Sequence, residues 1–158
     1  MSALQVRALF DMTSLLLGQM VYRMAETWRV HEAERIQLLL EQLEAETRQG
    51  HTEKFYDLIF QGMAQQHEMV GNPYLMRYYQ ELLPSLRRSY FLTLNISRRE
   101  LQESFDLFKL VTEAILIRKS HQATLFMEDF CRHLRNLVLE SLTRMKQIEL
   151  AWARRSRR

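Results

Sequence analysis

The chain has 158 residues, of which 47% are hydrophobic, and it contains only 4 glycines and 2 prolines. This length and this scarcity of helix breakers predict one domain of long helices rather than many short strands. The formal net charge is +3, and Arg154, Arg155, Arg157 and Arg158 at the C-terminus supply four positive charges. The rest of the chain is therefore not basic enough to indicate nucleic-acid binding, and the tail is interpreted as solubilising. The single cysteine, Cys131, excludes an internal disulfide. With no signal peptide and no apolar run of bilayer length, the sequence predicts a cytoplasmic protein without a membrane partner.

Apolar residues recur at spacings of three and four through nearly the whole chain, a pattern typical of amphipathic helices. The sequence therefore predicts an all-α domain of six or seven helices over residues 1–153, with a basic tail over 154–158. No repeat or linker divides it. The predicted helices cover residues 3–28, 30–49, 53–69, 73–93, 98–119 and 121–153.

The stretch 71–91 is the most informative part of the sequence. Gly71 can end one helix in a left-handed turn, Asn72 can cap the next, and Pro73 fits the first turn of that helix. We expect the tyrosine-rich helix that follows to be kinked at Pro84 and to form the spine of the bundle. Its predicted inward face consists of Leu75, Tyr78, Tyr79, Leu82, Leu83, Leu86, Tyr90 and Phe91.

Further helix boundaries are predicted from capping residues. Thr52, Ser97 and Ser120 precede helical patterns as N-cap candidates, and Ser97 is followed three residues later by a glutamate, as in a capping box. Gly50 is predicted to end the second helix. Gly62 lies in the third predicted helix, where we expect crowded packing to favour a small residue.

The sequence contains no motif that favours catalysis. Nucleophile motifs, glycine-rich phosphate loops and the spacings of common metal sites are missing. Cys131 and His133 are two positions apart on a predicted helix and therefore point in different directions. We expect no enzyme and no cofactor. The 9 methionines, 8 phenylalanines and 6 tyrosines fit either an ordinary core or an apolar ligand pocket between helices.

Several short segments, taken in order, resemble the C-terminal effector domain of FadR-type GntR transcription regulators. These are residues 59–64, the Gly-Asn-Pro-Tyr turn at 71–74, Arg-Ser-Tyr-Phe at 88–91 and the last helix around 131–133. The resemblance implies an antiparallel bundle of six or seven helices that binds a small effector and forms a homodimer. Such domains normally follow an N-terminal winged helix-turn-helix that binds operator DNA, and we expect this chain to lack that segment.

Members of this family commonly hold a metal with one aspartate and three histidines, and this sequence departs from that pattern. The aspartate position matches Tyr56, or Asp57 if the register slips by one. The first histidine position matches Phe60 or Gln61, and the second matches Phe108. Only the third histidine is retained, as His133. An aromatic ring cannot ligate a metal, so we predict no metal site. The alternative is a metal-dependent carboxylate sensor that uses Asp57 and His133.

This replacement of ligands by aromatic residues is similar to the fatty-acid-responsive members of the family. The resemblance therefore implies a fatty acyl effector, either a fatty acid or an acyl-CoA, whose oxygen accepts a hydrogen bond from Tyr90. A structural helical module without a ligand remains the alternative of another class. The ligand-binding residues predicted in this way are Tyr56, Phe60, Gly62, Tyr90, Phe108 and His133.

Overall fold

The computed structural model describes residues 1–157 and confirms an all-α helical bundle; no strand occurs in this range. A 3-10 turn at Phe91–Thr93 links the fifth and sixth helices. None of the helices in the described range is long and apolar enough to cross a membrane. The helices are α1 (Ala3–Thr27), α2 (Val30–Gln49), α3 (Thr52–Met63), α4 (His67–Val70), α5 (Pro73–Tyr90), α6 (Arg98–Leu116) and α7 (Ser120–Ser156).

Helices α1 and α7 form the most extensive packing pair of the bundle and run antiparallel. Thr124, near the start of α7, donates a hydrogen bond of 2.8 Å to the carbonyl oxygen of Gly18, in the second half of α1. A Cβ atom on Gly18 would lie 3.2 Å from Thr124 Cγ2, so glycine permits this close approach. The spine of the bundle is therefore the α1–α7 pair, and the expectation that α5 would form it was wrong.

Helix α5 begins as predicted but presents a different inward face. The Asn72 side chain accepts hydrogen bonds of 3.1 Å from the backbone N–H groups of Tyr74 and Leu75, and Gly71 has a φ of 62°. The buried side chains include Leu75, Met76, Tyr79, Leu86 and Tyr90. Tyr78 and Phe91, which were expected to face inward, are 55% and 39% exposed.

The predicted third helix is broken in the structure, so its expected span of 53–69 was wrong. Helix α3 ends at Met63, and the short α4 begins at His67. The backbone N–H groups of Gln65 and Gln66 bond carbonyls three residues back, and the Gln66 side chain caps the Gly62 carbonyl at 3.0 Å. These bonds satisfy backbone carbonyl oxygens at the end of α3 without continuing the α-helix.

Two of the four predicted side-chain caps were wrong. Thr52 and Ser120 each lie inside the first turn of their helix, and neither helix has a side-chain cap. Ser97 does cap α6 by accepting a bond from the N–H of Glu100 at 3.1 Å, and Gly50 ends α2 with a φ of 73°.

Helix α6 was predicted to span 98–119 but ends at Leu116, because Arg118 adopts a conformation that terminates helices. This residue has a φ of 59°, in the left-handed region that terminates helices. Its guanidinium donates to the Ala25 and Trp28 carbonyl oxygens at 3.2 and 2.7 Å and lies 3.9 Å from the centre of a Trp28 ring. The left-handed residue is thus held against the end of α1.

The C-terminal part of α7 extends beyond the bundle. Residues 143–157 are all exposed, including Met145, Ile148 and Trp152, and the helix continues to Ser156. The predicted tail at 154–158 therefore begins inside this helix, and Arg158 lies outside the described residues.

We predict that Asn72→Ala lowers the free energy of unfolding by about 1 kcal/mol, because two N–H groups at the start of α5 lose their acceptor. Urea denaturation followed by circular dichroism measures this change. Asn95→Ala is the matched control, since Asn95 is exposed and lies outside the helices. Equal effects of the two substitutions would contradict the capping role.

Candidate effector site

Five aromatic rings from four helices fill the centre of the bundle. Tyr56 and Phe60 lie on α3, Tyr90 on α5, Phe108 on α6 and Phe130 on α7, and each is at most 5% exposed. Ring centroids are 5.5 Å apart for Phe60 and Tyr90, 6.0 Å for Phe60 and Phe130, and 5.4 Å for Phe108 and Phe130. These distances are those of favourable aromatic contacts, so this aromatic cluster joins four helices.

The hydroxyl of Tyr90 donates a hydrogen bond to Asp57, at one edge of the aromatic cluster. The same carboxylate lies 3.5 Å from Arg87 Nε. Burial, together with the neighbouring carboxylate, raises the pKa of Tyr90 well above its usual value, so the phenol remains a neutral donor. An effector oxygen could accept from Tyr90 only by displacing Asp57.

A chain of polar groups lies at another edge and runs from the core to the surface. The Tyr56 hydroxyl and Ser104 Oγ are 2.8 Å apart, and Ser104 Oγ is 3.0 Å from His133 Nδ1. His133 Nε2 lies 3.4 Å from Glu103 Oε2. Ser104 is fully buried under Tyr56, so this serine, histidine and carboxylate satisfy one another and offer no exposed nucleophile.

Five of the six residues predicted to bind ligand belong to the cluster or to its polar edge, and Phe108 joins the cluster through Phe130. Phe60 and Tyr90 stack on one another, Tyr56 packs beside both, and His133 reaches the cluster through Ser104. Phe130, which was not among the predicted residues, packs against Tyr56, Phe60 and Phe108.

The alternative metal ligands, Asp57 and His133, are engaged by different partners. Asp57 interacts with Tyr90 and Arg87, whereas His133 interacts with Ser104 and Glu103. Within residues 1–157, neither belongs to a group of three side chains that could hold one metal ion. The arrangement therefore gives the carboxylate-sensor alternative no geometric support.

An apolar cavity of about 150 Å³ lies beside the cluster, between α1, α2, α3, α4 and α6. Of the predicted ligand-binding residues, Phe108 and Gly62 line it. A Cβ atom on Gly62 would meet nothing within 4 Å, so the expectation of crowding at Gly62 was wrong. The lining also includes three methionines, which can adapt their shape to a ligand: Met24, Met63 and Met69.

The rim of this cavity is polar and includes Glu32, Arg35 and Gln66. These three residues also line an adjoining surface groove. Arg35 forms no salt bridge with any residue from 1 to 157. An enclosed apolar space with an uncommitted guanidinium at its edge suits a molecule with an alkyl part and an anionic head.

Sequence reasoning did not identify Ser104, Arg35 or the central position of Phe130 as functional features. Ser104 lies between Leu101 and Phe108 on the buried face of α6. A polar residue at such a position in the apolar pattern could have predicted a buried hydrogen bond. Nothing in the spacing of Arg35 distinguishes it from other exposed arginines.

The FCD domain family model matches residues 8–154, which is nearly the whole chain. No curated protein matches the sequence. FCD domains occur in transcription regulators and not in enzyme families. The chain therefore belongs to the FCD domain family, the ligand-sensing domains of GntR-type transcription regulators.

Proposed function

We propose that this chain senses a fatty acyl effector, a fatty acid or an acyl-CoA, and transmits its presence to a DNA-binding domain. The observation that carries the proposal is the apolar cavity beside Phe108 with Arg35 at its rim. A carboxylate or phosphate head would pair with the guanidinium, while the alkyl part would replace empty apolar space.

The size of the cavity sets how much of the acyl chain it accepts without rearrangement. A volume near 150 Å³ matches engineered apolar cavities that bind benzene, so about six carbons fit. Burying six methylenes contributes roughly 5 kcal/mol, at about 0.8 kcal/mol each. A longer chain requires the methionines of the lining to change rotamer, which their unbranched side chains allow.

The predicted residues would then have two different roles. Phe108 and Gly62 would contact the effector directly, and Phe108 also packs against Phe130. Tyr56, Phe60, Tyr90 and His133 would form the rigid wall behind Phe108. A cavity placed between the helices would couple occupancy to the arrangement of the bundle, which is the basis of an allosteric response.

We predict that long-chain acyl ligands raise the melting temperature of the protein and that short dicarboxylates do not. Differential scanning fluorimetry with each ligand below its aggregation concentration measures this difference. Stabilisation by a dicarboxylate alone would instead support the carboxylate-sensor alternative. If neither class stabilises the protein, the ligand-free structural module becomes the better interpretation.

Variants locate the site. We predict that Arg35→Gln and Val111→Leu each reduce the acyl-induced shift, because one removes the charge at the rim and the other fills part of the lining. Their matched controls are Arg48→Gln, exposed on the same helix, and Val138→Leu, buried outside the cavity. A shift that is abolished by Tyr90→Phe but unaffected by Arg35→Gln would place the acyl head at Tyr90 instead.

We also propose that the chain forms a homodimer through the outer face of α1. Leu4 and Leu15 are 76% and 66% exposed and lie three helical turns apart on one face, and Tyr22 continues that face. Two-fold symmetric pairing would suit a regulator that reads a palindromic operator.

We predict a homodimer at micromolar concentration, measured by sedimentation velocity. Leu15→Glu should give the monomer, because a charge would be buried at the interface. Leu38→Glu, on the exposed side of α2 at 54% exposure, should remain dimeric. A wild-type chain that sediments only as a 19 kDa species would contradict the proposal.

A further inference from the structure

We propose that His31, Glu32 and Glu68 form a binding site for a divalent transition metal ion, at the surface between α2 and α4. The site lies on α2 and α4, whereas the family resemblance placed metal ligands on α3, α6 and α7. It departs from the sequence-based prediction of no metal. It does not require the proposed acyl effector, although Glu32 also lines the rim of the apolar cavity.

The geometry brings three donor atoms of suitable type together. One atom from each side chain lies within 4.8 Å of the other two. Ligand atoms about 2 Å from a zinc ion lie roughly 3.3 Å from one another, so the three groups must approach somewhat. His31 and Glu68 are exposed and can make this adjustment by side-chain rotation. One imidazole with two carboxylates suits Zn²⁺ or Mn²⁺ better than Ca²⁺.

A second observation is that Glu32 is a buried carboxylate with no cationic side chain paired to it, so that only the start of α2 balances its charge. Its side chain is among the buried polar groups, with the residue only 3% exposed. Oε1 accepts one hydrogen bond of 2.9 Å, from the backbone N–H of Arg29, and Glu32 forms no salt bridge with any residue in the described range. A buried carboxylate is costly unless it is paired, and a bound cation would supply the missing positive charge.

The backbone that presents these ligands is held in place before any ion binds. Helix α4, which carries Glu68, is tied to α1 by Arg23, which donates to the Val70 carbonyl, and by Thr27, which donates to the Met69 carbonyl at 2.6 Å. His31 and Glu32 lie in the first turn of α2. An ion would therefore join α2 to α4 across a groove that also contains Arg35, His67, Gln65 and Gln66. Arg35 weakens the attraction, so we expect a reversible site.

Isothermal titration of tag-free, chelator-treated protein with zinc chloride or manganese chloride tests the proposal. We expect one ion per chain and a rise in melting temperature on addition of the ion. His31→Ala and Glu68→Gln should each weaken binding by at least about tenfold, as loss of a ligand exceeds the usual effect of an outer-shell change. His121→Ala and Glu44→Gln, both exposed, are the matched controls and should bind as the wild type does.

A second variant gives a readout that does not depend on titration. Glu32→Gln keeps the hydrogen bond to Arg29 but removes the carboxylate charge, so the ion should no longer raise the melting temperature of this variant. Absence of stoichiometric binding would overturn the proposal. Binding that is lost in His133→Ala but retained in His31→Ala would also overturn it, because the ion would then lie at the bundle centre.

Discussion

The mutual packing of five aromatic rings determines what the centre of this bundle can do. Tyr56, Phe60, Tyr90, Phe108 and Phe130 come from four helices and leave no polar ligand set among them. Buried aromatic side chains contribute large apolar areas and additional ring–ring attraction. The resemblance implies metal coordination at some of these positions in other members, whereas ring contacts join the helices here. The space for a ligand consequently lies beside the rings, toward α2.

Three tyrosine hydroxyls at the edges of the buried core all find a hydrogen-bond partner. Tyr56 pairs with Ser104, Tyr90 donates to Asp57, and Tyr79 donates to the Phe60 carbonyl oxygen at 2.6 Å. Burial raises the pKa of each phenol, so all three stay neutral donors or acceptors at physiological pH. Since unpaired buried hydroxyls cost about 1–3 kcal/mol, these bonds specify how the rings are oriented. The region is thus suited to form a rigid wall.

The helical spacing of apolar residues, together with residues that cap helix ends, was enough to predict most of the fold. The span of α2 matches its prediction. Asn72, Gly71 and Gly50 act as expected because each depends only on residues next to it in the chain: Asn72 through its side chain and the two glycines through their left-handed backbone. The break after Met63 was missed because it depends on the Gln66 side chain returning to the Gly62 carbonyl. Thr52 was predicted as a cap from residue type alone, and nothing local distinguishes a cap from the next position.

For the candidate site, the sequence predicted which residues lie near one another better than it predicted how they pack and where a cavity remains. The residues predicted to bind ligand include Phe60, Tyr90, Phe108 and His133, and these four lie on four different helices. Sequence reasoning named Tyr56 but not Phe130, whose ring packs against other rings of the cluster, because such filling depends on ring orientations and volumes. The cavity beside Phe108 could not be predicted for the same reason. Residues from five separate helices border it, and the apolar spacing within any one helix does not reveal a gap between them.

Helix α1 connects the proposed effector cavity with the proposed dimer face. Val21 and Met24 line the cavity, while Leu15 and Tyr22 lie exposed on the same helix. A close-packed helix does not absorb a new ligand on one side by local compression, so insertion of an alkyl chain favours a shift of the helix or of its neighbours. Helix α7 is bound to α1 through Gly18 and Thr124 and would follow such a shift. The α1–α7 pair is therefore the element whose position an effector would bias, and a copy paired through α1 would experience that change directly.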